Sequence, residues 1–272
     1  NFLEQTVLLT GTIVFMLCIE FYCYRHLPII DFRPYAIGKN IQEGMSIPED
    51  APHDEYKTTL NYKNKNTGEV KEFDETNYPW QDTLNWEYHS SEQKLIKEGF
   101  KAPIHDFVME HPNLGDITDE VLQDDNYTFL VISYNLNNIS TDNLEKINEL
   151  AAYAREKGYR FYGLTASNSD VVKQLTDLHH IPYEFCSMDE IQLKTIVRSN
   201  PGLVLLKKGT VIDKWGHRDI PGIEILKDKD PLAYCLNEQQ SITKKYVVYS
   251  LTLLYLCLLF LYMIKKYRKT KA

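Results

Sequence analysis

The sequence has no paired-cysteine motif, although five cysteines occur among its 272 residues. Cys18, Cys23 and Cys257 lie in or beside apolar runs, which leaves only Cys186 and Cys235 in the polar part of the chain. This spacing excludes a zinc cluster of the usual kind. Internal repeats and low-complexity tracts are also missing. With 43% hydrophobic and 25% charged residues, the composition is that of an ordinary globular chain.

Positive charge is scarce except at the C-terminus. The chain has 30 Lys and Arg against 38 Asp and Glu, a net charge of −8. Five basic residues lie within residues 265–272, and residues 26–243 carry a net charge of −14. A nucleic-acid-binding domain would present a basic face, so the charge argues against this class of function. A mean hydropathy of −0.37 excludes a polytopic transporter that lies mostly in lipid.

Residues 246–264 form the cleaner of two apolar runs. Its nineteen residues carry no formal charge, and as a helix they would nearly cross a hydrocarbon core of about 30 Å. Lys244 and Lys245 precede the run and a basic tail follows it. The alternative, a buried core helix, rarely runs this long without a polar face. We therefore expect a transmembrane helix over residues 246–264.

Residues 6–24 form the second apolar run, which contains Glu20. A glutamate this close to the end of the run can reach the lipid headgroups or pair with Arg25 or His26. The alternative, a cleaved signal peptide, requires an initiating Met, a basic leading segment and a cleavage site, and the sequence has none of these. We expect residues 1–25 to be a transmembrane helix that ends a membrane bundle, and we expect an upstream portion.

The distribution of basic residues predicts the orientation of these two helices. Lys and Arg favour the cytoplasmic side, and the tail, residues 265–272, is the most basic flank. The sequence thus predicts an inner-membrane protein in contact with lipid, with a cytoplasmic tail and a periplasmic central domain.

Residues 26–101 are predicted to form a connector that contains a β-hairpin. Four prolines occur in residues 26–55, and alternating arms flank a turn signal at residues 65–69. Trp80 and Trp86 follow closely, and we expect these rings to cover the edge of a neighbouring domain. A second connector, residues 222–245, is interpreted as a linker.

Residues 102–221 alternate between strand and helix patterns, which is typical of an α/β domain with parallel crossovers. The predicted elements are strands over residues 127–133, 159–166 and 183–186, helices over residues 141–157, 170–179 and 189–199, and a closing hairpin over residues 203–208 and 211–215. Thr141 is the expected N-cap of the first helix, and Gly158 its stop signal.

This order, with an X-Pro bond directly before the closing hairpin, resembles the thioredoxin fold in its extracytoplasmic thiol-disulfide and peroxiredoxin-like branches. The resemblance implies a cis bond before Pro201 and a C-x-x-C pair where this chain has residues 134–139, which contain no cysteine. Thiol exchange requires a thiolate and a resolving thiol, so we expect no autonomous oxidoreductase activity. Asn200, Pro201 and Gly202 are the predicted binding residues.

The two cysteines of the polar part leave alternatives open. Cys186 ends a predicted strand, where it is either a small buried hydrophobic residue or a single thiol that exchanges with another cysteine. A disulfide between Cys186 and Cys235 is a third alternative in an oxidising compartment. Adjacent His179 and His180 point about 100° apart on a helix and make a poor metal pair. We predict no metal site and no cofactor within this chain.

Several segments resemble DoxX-like membrane proteins of Bacteroidetes. The residues that carry the likeness are Arg-His-Leu-Pro-Ile-Ile-Asp-Phe-Arg-Pro at 25–34, Tyr-Pro-Trp at 78–80, Ile-His-Asp-Phe at 104–107 and Arg-Ser-Asn-Pro-Gly-Leu at 198–203. The resemblance implies an upstream transmembrane bundle with paired cysteines and a link to quinone-coupled oxidation of thiols or sulfur compounds.

Two hypotheses follow for the function of the chain. The first is a membrane-tethered, thioredoxin-like binding module that holds a periplasmic peptide or protein at the proline loop. The second is a redox relay in which Cys186 exchanges with the upstream cysteines and electrons pass to quinone. The first is preferred, because the chain has no dithiol.

Overall fold

The structure, a computed structural model, describes residues 2–28, 31–226 and 230–271. The chain divides into two compact units. The large unit contains Asn1–Gln42 and Asp106–Ala272, and the small unit contains Glu43–His105. The predicted domain boundary at residues 101 and 102 therefore lies close to the end of the small unit. The first part of the predicted connector belongs to the large unit instead.

The helices and strands of the described residues alternate along most of the large unit. In chain order they are α1 Phe2–Arg25, α2 Ile41–Met45, β1 Glu55–Asn64, β2 Val70–Asp74, β3 Trp86–Lys97, β4 Glu110–His111, β5 Gly115–Asp116, α3 Thr118–Leu122, β6 Tyr127–Ile132, α4 Leu144–Lys157, β7 Arg160–Thr165, α5 Ser169–His179, β8 Glu184–Ser187, α6 Glu190–Ile196, β9 Gly202–Lys207, β10 Thr210–Gly216, α7 Ile223–Leu226 and α8 Pro231–Lys271.

The sheet of the large unit has the strand order β10-β9-β6-β7-β8-β4-β5. Strands β6, β7 and β8 are parallel, whereas β9 runs antiparallel to β6 and β10 antiparallel to β9. This arrangement, with a hairpin led by Pro201 beside the central strand, is a thioredoxin-like domain. The predicted α/β class is confirmed. The short pair β4 and β5 was not predicted, because two-residue strands leave no periodic pattern.

Caps and glycines set the limits of the helices. Gly158 has a left-handed conformation with φ 72° and ends α4, as its position predicts. Asn168 and Asp189 accept hydrogen bonds from main-chain N–H groups and cap α5 and α6. Thr141 is not the N-cap of α4, because that helix begins later, at Leu144.

The core of the large unit lies between the sheet and its helices. Every residue of β6 is buried, and the inner face of α4 is buried against the sheet. At about 25 cal/mol per Å² of apolar surface, such burial is the main favourable contribution to folding. The largest fully buried side chains of β6, α4, β7 and β9 are Phe129, Leu130, Ile132, Ile147, Leu150, Leu164 and Leu203.

The small unit contains a three-stranded antiparallel sheet with the order β2-β1-β3. The predicted hairpin is β1 with β2, but the third strand was not predicted. The expectation that the aromatic rings cover a neighbouring domain stays a prediction. Within the sheet, Trp86 packs edge-on against Phe73 at 5.3 Å. Period-two alternation is the reason, because it places Trp86, Phe73 and Tyr62 on one face.

The predicted linker over residues 222–245 is helical in large part. Asp230 accepts a hydrogen bond from Ala233 N–H at 3.2 Å and from the Tyr127 hydroxyl at 2.9 Å, and Pro231 follows at the first helical position. Cys235 and Leu232 then pack against the core. Helix α8 therefore begins on the large unit rather than after it.

The helices α1 and α8 include the two apolar runs. Over the residues that the structure describes, none of the helices is both long enough and apolar enough to cross a membrane. The two predicted transmembrane helices are therefore not supported. The last part of α1 contacts the interior of α8, where the hydroxyl groups of Tyr22 and Tyr246 lie 2.6 Å apart.

Candidate functional site

The candidate site lies where the central strand β6 ends beside the start of β9. Ile132 of β6 pairs with Gly202 of β9, so the loop that follows β6, residues 134–139, lies next to Pro201. The peptide bond between Asn200 and Pro201 is cis, as the sequence resemblance implied. The fold thus brings together the two segments that the sequence analysis singled out.

The loop after β6 is held by its own side chains. The Asn135 side chain accepts a hydrogen bond from Asn137 N–H at 3.0 Å and caps a short 3₁₀ turn, Leu136–Asn138. Leu136 N–H donates to Ser167 Oγ at 3.0 Å, and the Leu136 side chain is buried. One buried anchor and one cap therefore fix a loop whose outer residues, Asn137 and Asn138, are exposed.

Asn200 connects the loop that contains Pro201, here called the proline loop, to residues 134–139, here called the asparagine-rich loop. Its side-chain nitrogen donates to the carbonyl oxygens of Asn135 at 2.7 Å and Asn138 at 3.0 Å. Its own carbonyl oxygen accepts from Ser140 N–H at 2.9 Å. The main-chain carbonyl before the cis-proline is thus already paired within the chain, and a peptide strand would have to compete with Ser140 for it.

Gly202 is confined by close packing. A Cβ atom at this position would lie 2.5 Å from Cγ1 of Val197, closer than real contacts allow. Val197 itself is fully buried. Glycine therefore permits β9 to approach the end of α6. Gly202 packs inside the domain and does not lie on an open surface.

Ser199 and His217 form a polar pair that the sequence analysis did not assign. Ser199 Oγ donates to the carbonyl of Pro201 at 2.7 Å, accepts from His217 N–H at 2.8 Å and lies 3.0 Å from His217 Nδ1. Burial lowers the pKa of His217, which favours the neutral ring. Because the hydroxyl proton is committed to a carbonyl, the pair holds the proline loop and is not arranged as a nucleophile.

Cys186 lies away from the proline loop. It occupies a row across the sheet in which Gly202, Ile132, Leu164 and Cys186 stand side by side. Three strand spacings separate it from Gly202, about 14 Å. Its side chain is fully buried, and burial raises the pKa of the thiol to about 12. The geometry favours the interpretation as a small buried hydrophobic residue and gives no support to a reactive thiolate.

Cys235 lies on α8 against the acidic side chain of Asp213. Both side chains are buried, and both Cys186 and Cys235 are free thiols, so the structure has no disulfide between them. Burial raises the pKa of Cys235 and raises that of Asp213 to about 6. Hydrogen bonds from Lys214 N–H and from the side chains of Gln239 and Cys235 oppose the shift of Asp213.

A buried ion pair connects the start of the large unit to β10. The Lys214 ammonium group lies against Asp31, which also accepts two hydrogen bonds from the Arg33 guanidinium at 2.7 and 2.9 Å. Burial opposes ionisation of Asp31, but the hydrogen bonds from Arg33 and Lys214 hold its pKa below the usual range. Sequence analysis missed this pair because its partners lie more than 180 residues apart.

A candidate metal site is absent from the described ranges 2–28, 31–226 and 230–271. No group of three or more His, Cys, Asp and Glu side chains there is placed to hold a metal ion.

Comparison with known proteins finds one family model. It is described as a domain of unknown function (DUF8463), and it matches residues 56–98, which contain the strands of the small unit except for Glu55, the first residue of β1. No curated protein matches the chain.

Several solved structures are similar to part of this chain at low identity. A putative thioredoxin from Neisseria meningitidis is 13% identical with a TM-score of 0.35, over 41% of this chain and 77% of that one. StoA from Bacillus subtilis is 13% identical with a TM-score of 0.34, over 46% and 95%. A domain of a possible thiol-disulfide isomerase from Cytophaga hutchinsonii is 14% identical with a TM-score of 0.36, over 52% and 92%.

Proposed function

We propose that the large unit is a thioredoxin-like interaction module that works without thiol chemistry. The observation that carries this proposal is the bonding of Asn200. Its side chain joins the proline loop to the cysteine-free loop at two points, and its carbonyl joins it to the following residue, Ser140, at a third. Residues 134–139, where the resemblance to the thioredoxin fold implies a C-x-x-C pair, thereby form a fixed polar surface.

The binding surface in this proposal is the outer side of the asparagine-rich loop. The exposed residues Asn137 and Asn138 each offer an amide with donors and an acceptor. The Asn135 cap and the buried Leu136 fix the loop in advance, so little conformational entropy is lost on binding. An extended polypeptide with exposed main-chain groups matches such a surface, and this class of ligand agrees with the periplasmic peptide or protein expected from the sequence.

A binding assay with an unfolded polypeptide tests the proposal. The probe is reduced and carboxymethylated α-lactalbumin, which has no free thiol, added to the full chain and followed by fluorescence anisotropy and hydrogen exchange. We expect slower exchange at residues 135–140, and binding at least tenfold weaker for Asn137→Arg. The variant Cys186→Ser should bind like the parent.

Two outcomes contradict the proposed function. The first is an absence of binding by the parent, and the second is binding that Asn137→Arg leaves unchanged. The redox alternative has its own readout, a reversible mixed disulfide at Cys186 trapped in the full chain. Its buried sulfur and raised pKa predict that none forms.

The location of the module is a proposal from the sequence. We propose that the module belongs to a DoxX-like inner-membrane protein, with the central part periplasmic and quinone chemistry supplied by an upstream bundle. The acidic central part and the basic residues 265–272 support this orientation. A cysteine introduced at exposed Asn137 of the full-length protein should react with an impermeant maleimide in intact cells. Reaction only after the inner membrane is permeabilised contradicts the orientation.

A further inference from the structure

The strand β3 forms one edge of the small unit's sheet. It is the longest strand of this sheet, with twelve residues, and it pairs with β1 on one side only. Ten of its twelve residues are exposed, and the other two, Trp86 and Ser90, are partly buried. An edge strand of this kind presents main-chain N–H and C=O groups that another strand can pair with.

The regular part of this edge is residues 90–95. The pairing of β3 with β1 shifts register at His89 and again at Ile96, and between them six residues pair one to one with β1. Bulges bend a strand and interrupt its ladder, so an added strand has a straight stretch of six residues to pair with. We call residues 90–95 the free edge.

The charges of the free edge are unbalanced within one chain. Lys94 stands directly opposite Lys57 of β1, and Glu92 stands opposite Thr59. Like charges at directly opposed positions destabilise a sheet. Neither lysine has an ion-pair partner among the described residues of the small unit. A negative charge placed beside Lys94 from the open side would compensate it.

We propose that the free edge pairs antiparallel with the free edge of a second copy of this chain, centred on Gln93. In this register Glu92 of each copy faces Lys94 of the other, Gln93 faces Gln93, and Ser91 faces Leu95. Two opposite-charge pairs form on one face, each beside the Lys57 of its own sheet. The result is one sheet of six strands with twofold symmetry.

Other registers are less favourable for physical reasons. A shift by one residue sets main-chain N–H and C=O groups that point outward in one copy opposite groups that already bond to β1 in the other, so no ladder can form. A centre on Glu92 or on Lys94 places two like charges face to face. A centre on Ser91 leaves Lys94 opposite the irregular segment at His89. The register centred on Gln93 pairs both charged residues of the free edge, Glu92 and Lys94, with a residue of opposite charge.

Charge exchange in the full chain tests this pairing by sedimentation velocity at low salt. The parent should form dimers, and Glu92→Lys and Lys94→Glu should each raise the dissociation constant at least tenfold, because each brings like charges together. The double variant should recover the parent's value. An equal mixture of the two single variants should form heterodimers, since their charges are complementary.

Cysteine cross-linking tests the register itself, in a parent whose exposed Cys18 and Cys23 are replaced by serine. Gln93→Cys should form an intermolecular disulfide, because directly opposed Cα atoms lie about 4.5 to 5.5 Å apart. Ser91→Cys is the matched control, since its two copies would lie about 14 Å apart. Mixed with Leu95→Cys, it should cross-link, because these two positions face each other in the proposed register.

Several outcomes overturn the proposal. A parent that stays monomeric does so, as does dimerisation that neither single charge variant weakens. Cross-linking of Ser91→Cys alone as efficiently as of Gln93→Cys contradicts the register. These outcomes are independent of the proposed binding role of the large unit, because no residue of the asparagine-rich loop is changed.

Discussion

In the large unit every residue of β6 is buried, whereas in the small unit β1, β2 and β3 contain no residue in the buried class. The first sheet is stabilised by apolar surface removed from water, with Phe129 and Leu150 fully enclosed. The second is held by its hydrogen-bond ladders and by partly exposed rings such as Phe73 and Trp86. Apolar burial therefore stabilises the large unit more than the small unit, whose strand β3 is an edge available for pairing.

The largest expected effect comes from the core of the large unit. Phe129→Ala removes a fully buried ring in β6 and should lower the free energy of unfolding by about 3 to 5 kcal/mol. Urea unfolding followed by circular dichroism measures it. Leu178→Ala, at a side chain that is 69% exposed, is the control and should change stability by less than about 0.5 kcal/mol. Equal effects would contradict the assigned core.

Asp213 should make the large unit less stable as the pH rises. Its folded-state pKa of about 6 exceeds the ordinary value of 3.8, so the folded state holds the proton more tightly. Stability should fall between about pH 4 and pH 6 and then level off. Asp213→Asn removes this loss and should be more stable than the parent by about 3 kcal/mol at pH 8, from a shift of about two units.

Urea unfolding at several pH values measures this difference. It should vanish near pH 3, where Asp213 is protonated in the folded and unfolded states. A difference that is independent of pH would show that the pKa of Asp213 is the same in the folded and unfolded states, and would contradict the raised pKa.

Asn200→Ala should have an intermediate effect on the large unit. It leaves the carbonyls of Asn135 and Asn138 without their side-chain donor, a loss of about 2 kcal/mol for two hydrogen bonds. Hydrogen exchange should become faster at residues 134–140 before other segments respond. Asn137→Ala, at an exposed position of the same loop, is the control. If both variants leave exchange unchanged, Asn200 does not fix the loop.

The smallest effect is expected in the small unit. Phe73→Ala removes ring contacts with Tyr62 and Trp86, a loss of about 1 to 2 kcal/mol because the ring is only partly buried. Exchange should accelerate in β1 to β3 alone. Val70→Ala, on the opposite face of β2, should have almost no effect. Acceleration in β6 as well would mean that the two units unfold together.

The fold of the large unit could be predicted from its sequence because its signals are local and strong. The buried run of β6, the apolar face of α4 and the stop at Gly158 each follow from residue type and spacing. The third strand of the small unit could not be predicted in this way. Residues 86–97 are mostly polar and exposed, and they form a strand only because β1 pairs with them.

The candidate site was predicted in part. Pro201 and the cysteine-free loop were located from the order of elements, and the cis bond agrees with the expectation. The partners of Asn200 could not be found, because they lie more than 60 residues away. Neither could the burial of Cys186, whose sequence context fits both a reactive and an inert thiol.

Three features of this protein were determined by the sequence alone: an acidic central part, an α/β order of elements and a proline loop without a dithiol. These follow from residue types and short spacings, which act locally. The tertiary structure alone decided which polar groups meet, namely Asn200 with the asparagine-rich loop, Lys214 with Asp31 and Cys235 with Asp213. Such pairs are set by the packing of distant segments, and their energies depend on burial that no single stretch of sequence contains.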